Sequence, residues 1–299
     1  MTKLMKEINK MKTVYVIPNL LKNQAQDVAR RVCKYLFDNE YYVLVDDQLK
    51  SELDSYINEY VEFCCEEDAL TKCDFVIAIG GDGTLLHAAP KTAKHNKPIL
   101  GINNGKLGFM TDIDASELEK LSAIKNGTYD IEERMLLEAS VINEKGDEII
   151  RETLLNDIVI TKGAFSRLVD IKISVNSIPT MEFRGDGIII STPTGSTGYS
   201  LSAGGPIIEP NAKCIAVTPI CPHALSIKSF VLSSDRTVCI EPSKTIQDRY
   251  ISIDGNDHVE IAEGDKIVVR RSEEILKMIR VTDQGFYDRI NGKLVKEVL

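Results

Sequence analysis

The sequence predicts two domains of different class: an N-terminal α/β domain on a parallel, Rossmann-like sheet, then a β-rich, sandwich-like domain. Three observations predict this. Over the first 130 residues, apolar strand-like runs alternate with amphipathic helical segments. From residue 131 onward, short β-branched runs are broken by turn signals, with little helical periodicity between them. The length of 299 residues is sufficient to bury two cores.

The elements follow in order. "TVYVIP" reads as the first strand, and "QDVARRVCKYL" as a helix with Val28, Val32 and Leu36 on one face. "YYVLVDD" is a second strand. Residues 51–65 carry Tyr56, Tyr60, Val61 and Cys64 at helical spacing and are expected to form a helix. "DFVIAI" and "PILGIN" are further strands, separated by a helix starting near Thr84. "ASELEKLSAIKNG" has helical composition and stops at Gly127. Alternation of this kind argues for right-handed βαβ units. After residue 131, "LVDIKISV", "GIIISTP", "CIAVTPI", "TVCIEP", "YISIDG" and "DKIVVRR" read as strands, with turns at Lys145-Gly146-Asp147 and Val175-Asn176-Ser177. The final "GFYDRINGKLVKEVL" is helix-like and is expected to return to the first domain. The expected boundaries are 1–130, completed by about 275–299, and 131–274. A ligand cleft is expected where the two domains meet.

Composition narrows the classes of function. The net charge of −9 gives no overall field that would attract nucleic acid or an anionic membrane. Seven cysteines without CxxC spacing suggest reduced thiols rather than a disulfide framework. No apolar run approaches the length of about 18 residues that a spanning helix needs, and "MTKLMKEINKMK" lacks the apolar middle of a signal peptide. These features lead us to expect a cytoplasmic protein.

Three polar clusters interrupt the apolar pattern. In "DFVIAIGGDGT", a strand buried on both faces ends in Gly80-Gly81-Asp82-Gly83-Thr84, and a helix follows. Such a turn exposes backbone N–H groups to a phosphate at a helix N-terminus. Asp82 would repel that phosphate, so something positive, or something that loses a proton, should meet it. In "TLLNDIVITKG", Asn156-Asp157 interrupts a strand; a bulge or strand-end pair is the ordinary alternative. In "FRGDGIIISTPTGSTGYSLSAGGPI", Arg184 and Asp186 flank a glycine, and a long loop of Gly, Ser and Thr offers donors for phosphate or ribose oxygens.

Singly these signals are weak: GGDGT without a lysine is not a P-loop, and no GxGxxG follows the first strand. In order, together with "GINNGKLGFM", "LLND", "TPICPHALS" and "DGN", they make the chain resemble the NAD kinases. GGDGT is shared with lipid and sugar kinases; the long Gly/Ser/Thr segment with "TPICPHALS" narrows the family. The resemblance runs from about residue 12 to the C-terminus and implies transfer of the ATP γ-phosphoryl group to the 2′-hydroxyl of the adenosine ribose of NAD.

The resemblance also implies roles. Asp82 falls at the position of the base that takes the hydroxyl proton, with Mg²⁺ bound through the ATP phosphates. Gly83 and His87 match dinucleotide contacts, although a lone His is usually a satisfied surface or core residue. Asn156 and Asp157 match an Asn-Glu pair that holds ribose hydroxyls or base, here with the shorter carboxylate. Arg167 and Arg184 align with NAD contacts, and solvated charge is the alternative for each. Asp186 would accept from a base amino group or an amide. Thr197, Gly198, Tyr199, Ser200, Leu201 and Ser202 match the dinucleotide-binding loop, where Tyr199 can stack on a base. Asn256 stands in "DGN" near the expected ligand. A homodimer or homotetramer is expected by the same resemblance, with NAD and ATP as the small-molecule partners. Two other classes stay open: a non-catalytic NAD(P)-binding sensor, and a lipid kinase sharing GGDGT.

Overall fold

In a computed structural model, the described residues are 11–20, 25–53, 57–105, 108–163, 168–242, 249–256 and 259–292. The chain divides into two compact units, Met1–Glu133 with Leu276–Leu299, and Arg134–Ile275.

The first unit opens with β1 (Thr13–Pro18), α1 (Ala25–Asp38), β2 (Tyr42–Asp46), β3 (Glu62–Cys64), α2 (Glu66–Lys72), β4 (Phe75–Gly80), α3 (Asp82–Lys94), β5 (Pro98–Asn103), β6 (Ile113–Asp114) and α4 (Ser122–Asn126). The strand order β3-β2-β1-β4-β5 is parallel throughout. The order reverses between β1 and β4, and in open α/β sheets ligands sit outside the carboxyl ends of the strands at such a point. All six residues of β4 are buried, which explains its unbroken apolar run. Helix α1 buries Val28, Val32 and Leu36 on its inner face, as its periodicity predicts. Gly127 ends α4 with φ +71, the left-handed conformation that glycine adopts without strain.

The expected helix over 51–65 is corrected. Residues 54–56, including Tyr56, lie outside the described set, while Glu62–Cys64 is a strand paired in parallel with β2. The helix lies beyond it, at Glu66–Lys72, where Glu66, Glu67 and Asp68 occupy the first turn and complement the dipole. The apolar spacing in 51–65 comes from the junction of short elements: Ile57 is buried in the core, and Val61 and Phe63 pack against the same cluster.

In the second unit the chain forms β7 (Asp130–Ile142), which begins in the first unit, then β8 (Glu148–Leu154), β9 (Asp157–Lys162), β10 (Val169–Val175), β11 (Ile178–Gly185), β12 (Gly187–Ser191), α5 (Tyr199–Ser202), β13 (Cys214–Ile220), β14 (Phe230–Ser233), β15 (Val238–Pro242), β16 (Arg249–Ile253), β17 (Val259–Glu260) and β18 (Lys266–Arg280). One sheet runs β14-β13-β12-β9-β16-β17, antiparallel at each pairing. The other includes the antiparallel run β11-β10-β15-β18. Ile158, Ile160, Ile188, Ile190, Ile215 and Val217 of the first meet Ile171, Ile173, Val238, Ile240, Ile267 and Val269 of the second in one core. This is the layering of a sandwich. Strand β11 is missing from the sequence reading because its outer face is exposed and carries a proline. The turn Asn176-Ser177 that joins it to β10 has φ of +48 and +66, the mark of a type I′ hairpin. The last five residues of β18 and helix α6 (Phe286–Ile290) belong to the first unit, so the C-terminal helix does return to it.

Candidate active site

In the first unit the GGDGT turn lies at the carboxyl end of β4, with Asp82 as the first residue of α3. Its carboxylate accepts three backbone hydrogen bonds: from Phe109 N to Oδ2 at 2.7 Å, and from Met110 N and Thr111 N to Oδ1 at 3.0 and 3.3 Å. A carboxylate has about four lone-pair sites. Among the described residues, three are taken, and one on Oδ2 stays available on a side chain that is only half-buried. Gly108 is bound to this arrangement, because a Cβ there would stand 1.8 Å from Asp82 Oδ1.

The glycines of the turn have different causes. A Cβ on Gly80 would lie 2.2 Å from Thr84 Oγ1, so packing within the protein requires that glycine. A Cβ on Gly83 would meet nothing within 4 Å, so the surrounding protein gives no steric reason for it. Gly83 and His87 are both exposed on the first turns of α3. Nearby chemistry is incomplete as well: among the described residues, Thr84 Oγ1, Asn103 Oδ1 and Asn104 Nδ2 are buried without a hydrogen-bond partner.

In the second unit Asn156 and Asp157 are fixed by the same device. Asp254 Oδ2 accepts from Leu155 N at 2.7 Å, and its Oδ1 from Asn156 N and Asp157 N at 2.8 and 3.0 Å. Gly195 packs on this segment so closely that a Cβ would stand 2.2 Å from Asn156 O, and one on Gly198 would lie 3.7 Å from Asp157 Oδ2. The structure therefore brings the Asn-Asp pair together with the loop at 195–198. Asn156 Oδ1 is buried without a partner among the described residues. Burial, and then the Asp254 carboxylate, push the Asp157 carboxyl up to about 7.

The remaining candidates fall in different settings. Thr197 bonds back to Thr194 O at 3.2 Å. Tyr199 is 47% exposed, a surface ring rather than a core one. Leu201 is half-buried and Ser202 exposed on the same short helix. Ser200 turns inward, fully buried, and shares a hydrogen bond of 3.0 Å with Thr218 Oγ1. Arg184 holds Asp170 in a two-pronged pair at 2.6 and 2.8 Å, and Asp186 pairs with Lys162 at 2.9 Å. Asn256 is exposed beyond the Asp254-Gly255 turn. Arg167 lies outside the described residues.

Sequence reasoning missed the residues that hold these groups, which are Gly108, the amides of 109–111 and Asp254, and it missed the buried Asn103 Oδ1 and Asn104 Nδ2, which have no partner among the described residues. "GINNGKLGFM" and "DGN" were the available signals, but backbone donors carry no side-chain signature.

Two family models match the chain: the ATP-NAD kinase N-terminal domain over residues 14–129, and the ATP-NAD kinase C-terminal domain over residues 155–281. The NAD kinase of Thermoanaerobacter sp. (strain X514) is 41% identical over 288 residues, covering 96% of this chain and all of the relative. That of Caldanaerobacter subterraneus subsp. tengcongensis is 42% identical over 296 residues, with 96% and 100% coverage. Among solved structures, yeast NADH kinase complexed with NADH superposes with a TM-score of 0.86 at 24% identity, covering 96% of this chain and 88% of that one. An NAD kinase from Archaeoglobus fulgidus in complex with ATP gives 0.67 at 22% identity, with 95% and 99% coverage. At these identities the structural matches show the fold, whereas the family models and close relatives reach further: the chain belongs to the ATP-NAD kinase family of enzymes.

Proposed function

We propose that the chain transfers the γ-phosphoryl group of ATP to the 2′-hydroxyl of the adenosine ribose of NAD, with Asp82 as general base. The ribose O2′–P bond forms, the bond from Pγ to the β,γ-bridging oxygen breaks, and ADP leaves. The hydroxyl proton passes to Asp82 and then to solvent. The observation that carries this reading is the oriented Asp82 carboxylate at the start of α3, with one acceptor position left on Oδ2. Phosphoryl transfer depends mostly on positioning and charge stabilisation, so a carboxylate held by three amides suits the task. The open space over Gly83 lets a dinucleotide approach the backbone, and the N-terminus of the 13-residue α3 favours phosphate. Asn156, through its unpartnered Oδ1, and the exposed Tyr199 ring are proposed as dinucleotide contacts.

Mg²⁺ is proposed to arrive on the ATP phosphates and to neutralise their charge. Among the described residues, no group of three or more His, Cys, Asp or Glu side chains gathers into a metal cage of its own. No described helix is long and apolar enough to cross a membrane.

One other reading draws on the same geometry: Asp82 as a purely structural anchor for residues 109–111. Asp82→Asn separates the two. Asparagine keeps one acceptor oxygen but turns an NH₂ toward a backbone donor, so stability should fall by about 1–3 kcal/mol. Turnover should fall by about 100-fold or more if the base is lost. NADP formation from NAD, ATP and Mg²⁺, read with an NADP-specific dehydrogenase alongside a melting curve, decides. A variant that melts early but turns over like wild type removes Asp82 as base.

A further inference from the structure

Residues Phe109–Thr111 are held from two sides. Their amides face Asp82, and their carbonyls face two arginines from the end of the chain. Arg289 Nη1 donates to Phe109 O at 2.8 Å and to Thr111 O at 2.6 Å, while Arg280 Nη1 donates to Met110 O at 2.8 Å. The carbonyl of Phe109 and the N–H of Met110 belong to one peptide group, and the carbonyl of Met110 and the N–H of Thr111 to the next. Two successive peptide groups therefore each stand between a guanidinium and the Asp82 carboxylate. Asp112, its side chain fully buried, closes the arrangement. Its Oδ1 accepts from Arg289 Nη2 at 3.0 Å, and its Oδ2 from Val281 N at 2.7 Å. Glu132 accepts from Arg280 Nε at 2.7 Å.

We propose that Arg280 and Arg289 are positioning residues for the phosphoryl transfer, acting on Asp82 through the peptide groups of Phe109–Thr111. This rests on the reading of Asp82 as base. A carbonyl bound by a cation polarises its amide, so the opposite N–H becomes a stronger donor. Stability alone is a poor reason for the cluster: replacing buried ion groups with packed apolar residues is often neutral or favourable. The planar fork of arginine is also what lets one side chain span two carbonyls and a carboxylate. Burial, and then the neighbouring Arg280 charge, lower the proton affinity of Arg289, while Asp112 and Glu132 act in the other direction.

The test is a double-mutant cycle on the full chain. Arg289→Lys keeps a charge but cannot make the same three contacts. With a melting curve showing that it folds, kcat should fall about 10-fold, while KM for NAD stays within about twofold. In an Asp82→Asn background the same substitution should change residual turnover by less than about twofold. Arg280→Lys goes through the same cycle; its side chain is 11% exposed against 4% for Arg289, so a folding failure at Arg289 does not shield the proposal. An equal loss in both backgrounds, a loss carried wholly by KM, or no loss overturns the positioning role and leaves the base intact. Wild-type turnover in Asp82→Asn alone removes the base reading, and this inference with it.

Discussion

Asp82 and Gly108 show how a single missing carbon can govern the orientation of a carboxylate. The Asp82 carboxylate occupies the volume where a Gly108 side chain would be, 1.8 Å from the position of its Cβ. Gly108→Ala must therefore rotate the carboxylate away from the amides of 109–111 or displace the loop. Overpacking of this kind costs about 1–3 kcal/mol. Under the proposed role of Asp82 as base the larger effect belongs to kcat, because misplacing a reacting group by about 1 Å can cost about 100-fold. Steady-state kinetics with a melting curve check this; a variant that loses stability but keeps kcat would show that the carboxylate orientation is not needed.

At the scale of elements, each unit uses an aspartate to hold three consecutive amides, at 109–111 in the first and at 155–157 in the second. Each aspartate satisfies donors at a bend beside a strand, where ladder partners run out. Asp254 does this from a left-handed conformation, φ +51, which asparagine also tolerates. Asp254→Asn should therefore keep its turn while losing acceptor capacity and charge, at a cost of about 1–3 kcal/mol. It should also lower the Asp157 carboxyl from about 7, since the Asp254 charge is one of the two causes of that rise. Carboxyl-carbon NMR titration of Asp157 in both proteins measures it; an unchanged midpoint would leave burial as the whole cause.

At the scale of the molecule, Asp157 couples a candidate binding residue to folding. Its carboxyl titrates at about 7 when folded and near about 3.9 when unfolded. Between these values the folded chain binds the extra proton, so this contribution to stability is present at low pH and is lost as pH rises from about 4 to about 7. Asp157→Asn removes the buried charge. At pH 8 it should raise unfolding free energy by about 2–4 kcal/mol relative to wild type, and the gain should vanish near pH 4. Denaturant titrations at both pH values test the sign. The metal acts at the same scale under the proposed function: chelating divalent cations should stop NADP formation while calorimetry still detects NAD, because the cation travels with ATP. Loss of NAD binding on chelation would place the cation in the protein instead.

Much of this was determined by sequence alone. The buried run Phe75–Ile79, the apolar stripe of α1 and the Gly127 stop follow from local side-chain patterns, and so does the change to a strand-rich chain after residue 131, although β7 and β18 run longer than the short strands expected. The ordered motifs carried the family. Only tertiary structure decided what holds the candidate residues. Asp82 meets Phe109 across 27 positions, Asp254 meets Asn156 across 98, and Arg289 meets Thr111 across 178. Each contact joins a side chain to a backbone group, and every residue type except proline has the same N–H and C=O. Sequence records which side chains exist and how they repeat nearby; which distant peptide group each one reaches is set by the packing of whole elements.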